Sequence, residues 1–197
     1  MLHFPGSVSI WQQSPPSDAN FLERGRAYCQ RIQSLLPELD WCIDLNGKDQ
    51  LQRFIWIGKN IHCLNSKLWQ LTLTCSSCFL QNNYPLVQTW AFPLDWLVTE
   101  PSLVGLCGPQ TEPKTLLIDV GQVHPDDWLG VVAHEFAHAM SGAGHGPDFQ
   151  TVLTHLCIGL GLPTPATLSD EQTLKHWPPH RPYHQPGYWF GEASNQL

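Results

Sequence analysis

The chain has 197 residues, with 10 Lys and Arg against 17 Asp and Glu, for a formal charge of −7. Hydrophobic residues make up 42% and charged residues 14%, enough apolar surface for a core, which excludes a wholly disordered chain. No apolar run approaches the roughly 18 residues that span a bilayer, and the scattered basic residues of an acidic chain leave no electrostatic footprint for nucleic acid.

One domain is expected at this length, and nine Trp point to an aromatic-rich body. Met1–Gly6 shows no basic segment followed by an apolar stretch, so no secretory signal is expected. Seven cysteines without a framework spacing read as reduced thiols, and a cytoplasmic location follows.

In chain order, residues 1–19 contain four Pro and Gly residues and read as an N-terminal arm. Asn20-Phe21-Leu22-Glu23 has the form of a capping box, and Leu22, Cys29, Ile32, Leu35 and Leu36 mark one helical face that Pro37 ends. From 39 to about 120 the texture is strand-like. Trp69, Leu71, Leu73 and Cys75 alternate with Gln70, Thr72 and Thr74 and predict a strand. Trp41-Ile43-Leu45 and Phe54–Ile57 are weaker strand candidates, 101–113 reads as a surface loop, and Lys114–Val120, closed by Gly121, is a further strand.

Pro125-Asp126-Asp127 suits a helix start, where free N–H groups favour negative charge. That helix should reach about Ser141 and stop at Gly142-Ala143-Gly144. A second helix, from about Pro147 to Gly159, carries Phe149, Val152, Leu153, Leu156, Cys157 and Leu160 on its buried face. The residues from 163 to 197 form a tail rich in Pro, His and aromatic residues.

His134-Glu135-Phe136-Ala137-His138 is an H-E-x-x-H pattern. Residues four apart share one helix face, so both imidazoles can reach one zinc ion. The adjacent Glu then lies where it can take a proton from a zinc-activated water without binding the metal itself. A catalytic site of this kind needs a third protein ligand. His145, just beyond the glycine turn, is the favoured one, and Asp148 is its rival. The metzincin pattern fails, because Ser141 and Gly144 stand where it needs Gly and His. A distant carboxylate ligand would have to be Glu171 or Glu192.

The pattern His134-Glu135-x-x-His138, followed by His145-Gly146-Pro147-Asp148-Phe149, resembles the SprT-like (Spartan-type) zinc metallopeptidases, and the likeness spans roughly Lys114 to Leu160. The resemblance implies Zn2+ on His134, His138 and His145, Glu135 as catalytic acid and base, and Phe149 packing the third-ligand helix. It implies an α+β, zincin-like domain over residues 20–162, with a small mixed or antiparallel sheet on the H-E-x-x-H helix and its last strand near Leu116–Val120. The expected activity is endopeptidase cleavage, with a protein or peptide substrate laid along an edge strand. Several members cleave proteins crosslinked to DNA. Nucleic acid as a partner follows from the resemblance alone, since this chain is acidic and has no cysteine after Cys157 for a C-terminal ribbon.

Other signals are read more plainly. Cys75-Ser76-Ser77-Cys78, near His62 and Cys63, is one C-x-x-C where a zinc ribbon needs two, and it reads as a reduced turn. His155 lies off the apolar face of its helix and reads as a capped or solvent-side residue. His176, His180, Arg181, Tyr183, His184 and Tyr188 would serve the site only if the tail folded over it; a surface strap packed by Trp177, Trp189 and Phe190 is the simpler expectation. A zinc-stabilised binding module without catalysis is the alternative from another functional class.

Overall fold

Helix α1 (Phe21–Leu35) starts where the side chain of Asn20 accepts the Glu23 N–H at 3.3 Å. Glu23 does not return to complete a capping box; its carboxylate pairs with Arg26 instead. The computed structural model describes residues 9–44, 46–80, 84–98, 103–108, 111–167, 169–183 and 187–192. Along α1, Tyr28, Cys29 and Ile32 are buried against α2 (Lys48–Ser76). Ahead of α1, the turn Ile10–Gln12 docks Trp11 edge-on against Tyr28, with ring centroids 5.3 Å apart.

Helix α2 corrects the strand reading of residues 69–75 and of Phe54–Ile57, since both lie within its 29 residues. Its buried positions are Phe54, Ile57, Gly58, Ile61, Leu64, Asn65, Leu68, Thr72, Cys75 and Ser76, a helical spacing of three and four. Polar residues on that face hide the period. Thr72 is buried because its hydroxyl bonds the Leu68 carbonyl and the Thr89 hydroxyl, at 2.9 and 2.6 Å. Asn65 is buried because it accepts the Ala91 N–H at 3.0 Å and donates to the Trp11 carbonyl. Trp69, Leu71 and Leu73, which gave the apparent alternation, are only half-buried. Trp41 makes an isolated bridge to Leu97 and no strand follows it; Leu45 lies outside the described residues.

The sheet has three strands, β1 (Val87–Ala91), β2 (Gly105–Gly108) and β3 (Lys114–Ile118), in the order β1-β3-β2. β1 runs parallel to β3 with Trp90 opposite Leu117, and β2 runs antiparallel to β3 with Cys107 opposite Leu116. The sheet is therefore mixed, within an α+β architecture. β3 falls where the sequence places a strand. It is central, and all but its first residue are buried. β2 corrects the loop reading of 101–113: residues 105–108 are an edge strand, paired on one side only among the described residues, while 101, 102, 109 and 110 lie outside them. β1 carries no clean alternation because four of its five residues are buried, and the four residues of β2, two of them glycine, are too few to show one.

A 3₁₀ turn at Pro125–Asp127 leads into α3 (Trp128–Ser141), as the Pro-Asp-Asp signal predicts. Helix α4 (Pro147–Leu160) buries Phe149, Leu153, Leu156 and Cys157 and ends at Gly161 with φ +68. The C-terminal segment holds a short helix α5 (Glu171–Lys175), capped by Asp170, and a turn at Tyr188–Phe190. That turn is anchored in the core. Trp189 donates its indole N–H to Asp119 at 2.9 Å, and its ring lies 5.5 Å from that of Trp56. Asp119 also accepts from Leu94, Gly121 and Gln122; burial pushes its pKa up to about 6 against the pull of these donors. Among the described residues, no helix is long and apolar enough to cross a membrane.

Candidate metal centre

Helix α3 carries His134, Glu135 and His138, and the turn into α4 carries His145. Gly142 and Gly144 take φ of +88 and +91, a region that side chains with Cβ rarely adopt, and this lets the chain reverse within a few residues. The reversal brings the ring of His145 to 4.8 Å from that of His138 and 5.2 Å from that of His134. Phe149, on the first turn of α4, lies beneath all three imidazoles at centroid distances of 5.0, 4.4 and 4.8 Å. It is 2% exposed and forms the apolar floor of the group.

The ligand atoms of His134, His138 and His145 all lie within 4.8 Å of one another, and among the described residues they are the one such group of three or more His, Cys, Asp or Glu. Asp148 is exposed in the first turn of α4 and stays outside it, as do Glu171 and Glu192. The Cys75–Cys78 pair and Cys63 also remain apart as free thiols, Cys75 buried and Cys63 exposed. His155 is capped by the Cys78 carbonyl at 2.7 Å, beside Phe79.

Hydrogen bonding suits the triad to a cation. His134 Nδ1 lies 2.7 Å from the Trp177 carbonyl, and His138 Nδ1 lies 3.2 Å from the Gly142 carbonyl. A carbonyl only accepts, so both Nδ1 atoms carry the proton and both Nε2 atoms present lone pairs. His145 Nε2 sits 3.3 Å from His134 Nε2. Two nitrogens bound tetrahedrally at the usual Zn–N length of about 2.0–2.1 Å are separated by about 3.3–3.4 Å, so the spacing already matches a zinc ligand pair. Burial lowers the pKa of His134 to about 3 and lowers those of His138 and His145, which favours the neutral imidazoles.

Glu135 is 6% exposed and lies against β2. A Cβ at Gly105 would stand 2.5 Å from its Oε1, so the bare glycine is what makes room for this carboxylate. Burial pushes its pKa up to about 8. Burial alone thus favours the neutral form of this carboxyl, and a cation bound at the adjacent imidazoles would act in the opposite direction.

The triad and Glu135 open into a cleft of about 620 Å³. One wall is β2 and the residues before it, Leu103 to Cys107. Leu39, Leu97 and Val131 add apolar surface, and Lys175, His176, Trp177, Pro178 and His180 close the far side. The tail is thus more than a surface strap: it reaches the cleft and supplies the carbonyl that orients His134. His184 lies outside the described residues, and Arg181 and Tyr183 lie beside the start of α3. Sequence reasoning did not find β2 or the Trp177 carbonyl, since a backbone acceptor has no residue signature. In comparisons with protein-family models, curated proteins and solved structures, nothing matches the chain.

Proposed function

We propose that the chain is a zinc-dependent endopeptidase of the SprT-like type. The observation that carries this reading is the convergence of three imidazoles beside one buried carboxyl group at the wall of an open cleft. Zinc bound there would supply a Lewis acid that lowers the pKa of a coordinated water to about 7. The remaining chemistry belongs to the chain. Glu135, held off the metal by the H-E-x-x-H spacing, takes the proton of the attacking nucleophile on its carboxylate and delivers it to the leaving amine. The Trp177 and Gly142 carbonyls keep His134 and His138 in the ligating tautomer throughout. The edge of β2, unpaired among the described residues, offers main-chain groups along which an extended peptide would lie, which favours a protein or peptide substrate.

A zinc-stabilised binding module would want a closed site, and among the described residues no fourth His, Cys, Asp or Glu joins the three. A buried carboxyl beside the ligands also has no use in a purely structural site. The DNA-linked variant of the activity draws no support from the charge of the chain; hydrolysis with and without single-stranded DNA across a salt series separates it.

The test is Glu135→Gln. It should keep one zinc per chain and lose cleavage of an unfolded protein by about 10²-fold or more. Full activity in this variant removes the assigned mechanism.

A further inference from the structure

The C-terminal strap follows α3 in the opposite direction. Arg181 grips the 3₁₀ turn that leads into that helix: its Nε and Nη2 donate to the two oxygens of Asp127 at 2.8 and 2.9 Å, its backbone N–H donates to Asp127 at 2.8 Å, and Nη2 also reaches Asp126 at 3.1 Å. Pro182 bridges antiparallel to Val123, and the Arg181 carbonyl accepts the His124 N–H at 3.2 Å. Farther along the helix, Pro178 lies against Gly130. Farther still, the Trp177 carbonyl meets His134 Nδ1 at 2.7 Å.

The spans agree. From Asp127 to His134 the helix rises about 10 Å, at roughly 1.5 Å per residue. From Arg181 to Trp177 the strap bends at Pro178, so its four steps cover less than the roughly 12 Å of a fully extended stretch at about 3.1 Å per residue. Anchoring at Arg181 therefore fixes where the Trp177 carbonyl falls. A second tie holds the other side, where the Trp177 indole N–H donates to the Pro163 carbonyl at 2.9 Å.

We propose that Arg181 and the Trp177 indole are positioning residues of the metal centre, which act by holding the Trp177 carbonyl on His134. Among its described residues the strap contributes no ligand, yet it sets the ring orientation and tautomer of one ligand. Partners of this kind typically account for 10- to 100-fold in metal affinity. The inference rests on the triad as a metal site and is independent of whether that site hydrolyses peptides.

The test is zinc affinity of the full chain, measured by chelator competition, in Arg181→Ala, Arg181→Lys, Trp177→Phe and the double variant Arg181→Ala/Trp177→Phe. Arg181 is mostly exposed, with 57% of its side chain accessible, so the metal-free fold should melt close to wild type. Arg181→Ala should weaken zinc about tenfold and the double variant more. Arg181→Lys should recover part of the loss, because it keeps the charge and forfeits the two-pronged grip. In the metal-free protein, the His134 Nδ1–H resonance should lose its hydrogen-bonded shift in step with affinity.

Zinc binding within threefold of wild type in the double variant overturns the proposal. So does a loss of affinity with the His134 resonance unchanged. Failure of the wild-type chain to bind zinc at all would instead strike the reading of the triad itself.

Discussion

Gly105 and Glu135 show how little room the candidate centre leaves. The carboxyl of Glu135 occupies the space that a side chain on β2 would take, so the edge strand can run close beside α3 only with glycine at that position. A methyl group there must push the carboxyl aside, because the neighbouring atom is the working end of the side chain. We expect Gly105→Ala to lower hydrolysis of an unfolded protein at least tenfold, since misplacement of a catalytic group by about 1 Å costs up to about 10²-fold. Its zinc stoichiometry, read by metal analysis of the same preparation, should stay at one. Retained activity in this variant would show that the carboxyl is not held in place by the strand. The pattern H-E-x-x-H discloses Glu135 but not its dependence on Gly105, which is 30 residues away in sequence and adjacent only after β2 pairs with β3.

At the scale of elements, helices α3 and α4 form one unit around Phe149. Periodicity places both helices correctly, because each has an apolar face, a proline at its start and glycine at its end. Phe149 is legible as a buried residue of α4, but its contact with all three imidazoles is a tertiary fact. Phe149→Ala should destabilise the chain by about 3–5 kcal/mol in urea unfolding. It should also weaken zinc, because the rings lose the surface that aligns them. A variant that loses stability but keeps wild-type zinc affinity would confine Phe149 to the core. Helix α2 shows the opposite case. Asn65 and Thr72 break its apolar stripe, and their partners, Ala91 and Thr89, lie on β1. A local window cannot know that those polar groups are satisfied, so chance alternation in 69–75 imitates a strand.

For the whole molecule, metal and fold should be linked. The three candidate ligands come from α3 and the turn before α4, and the strap adds a fourth point of attachment through Trp177. A ligand bound only by the folded state stabilises it by about 2.7 kcal/mol at a free concentration one hundred times its Kd. For a chain of this size that raises the melting temperature by about 5–10 °C. Zinc added to chelator-treated protein should produce this shift in wild type and in Asp148→Ala, and most of it should vanish in His145→Ala. The reverse pattern would make Asp148 the third ligand.

The identity of the candidate centre could be read from the chain itself, because four of its determinants are local. Helical spacing stacks His134 on His138, the adjacent position sets Glu135, two glycines turn the chain, and His145 follows within that turn. Everything that surrounds these residues depends on long-range pairing. The edge strand beside Glu135, the docking of α2 on β1, and the strap that reaches from Arg181 to the Trp177 carbonyl join positions 17 to 54 residues apart. Such contacts form only when burial brings together elements that no short window of sequence contains, and a backbone carbonyl aimed at an imidazole is encoded by no residue type.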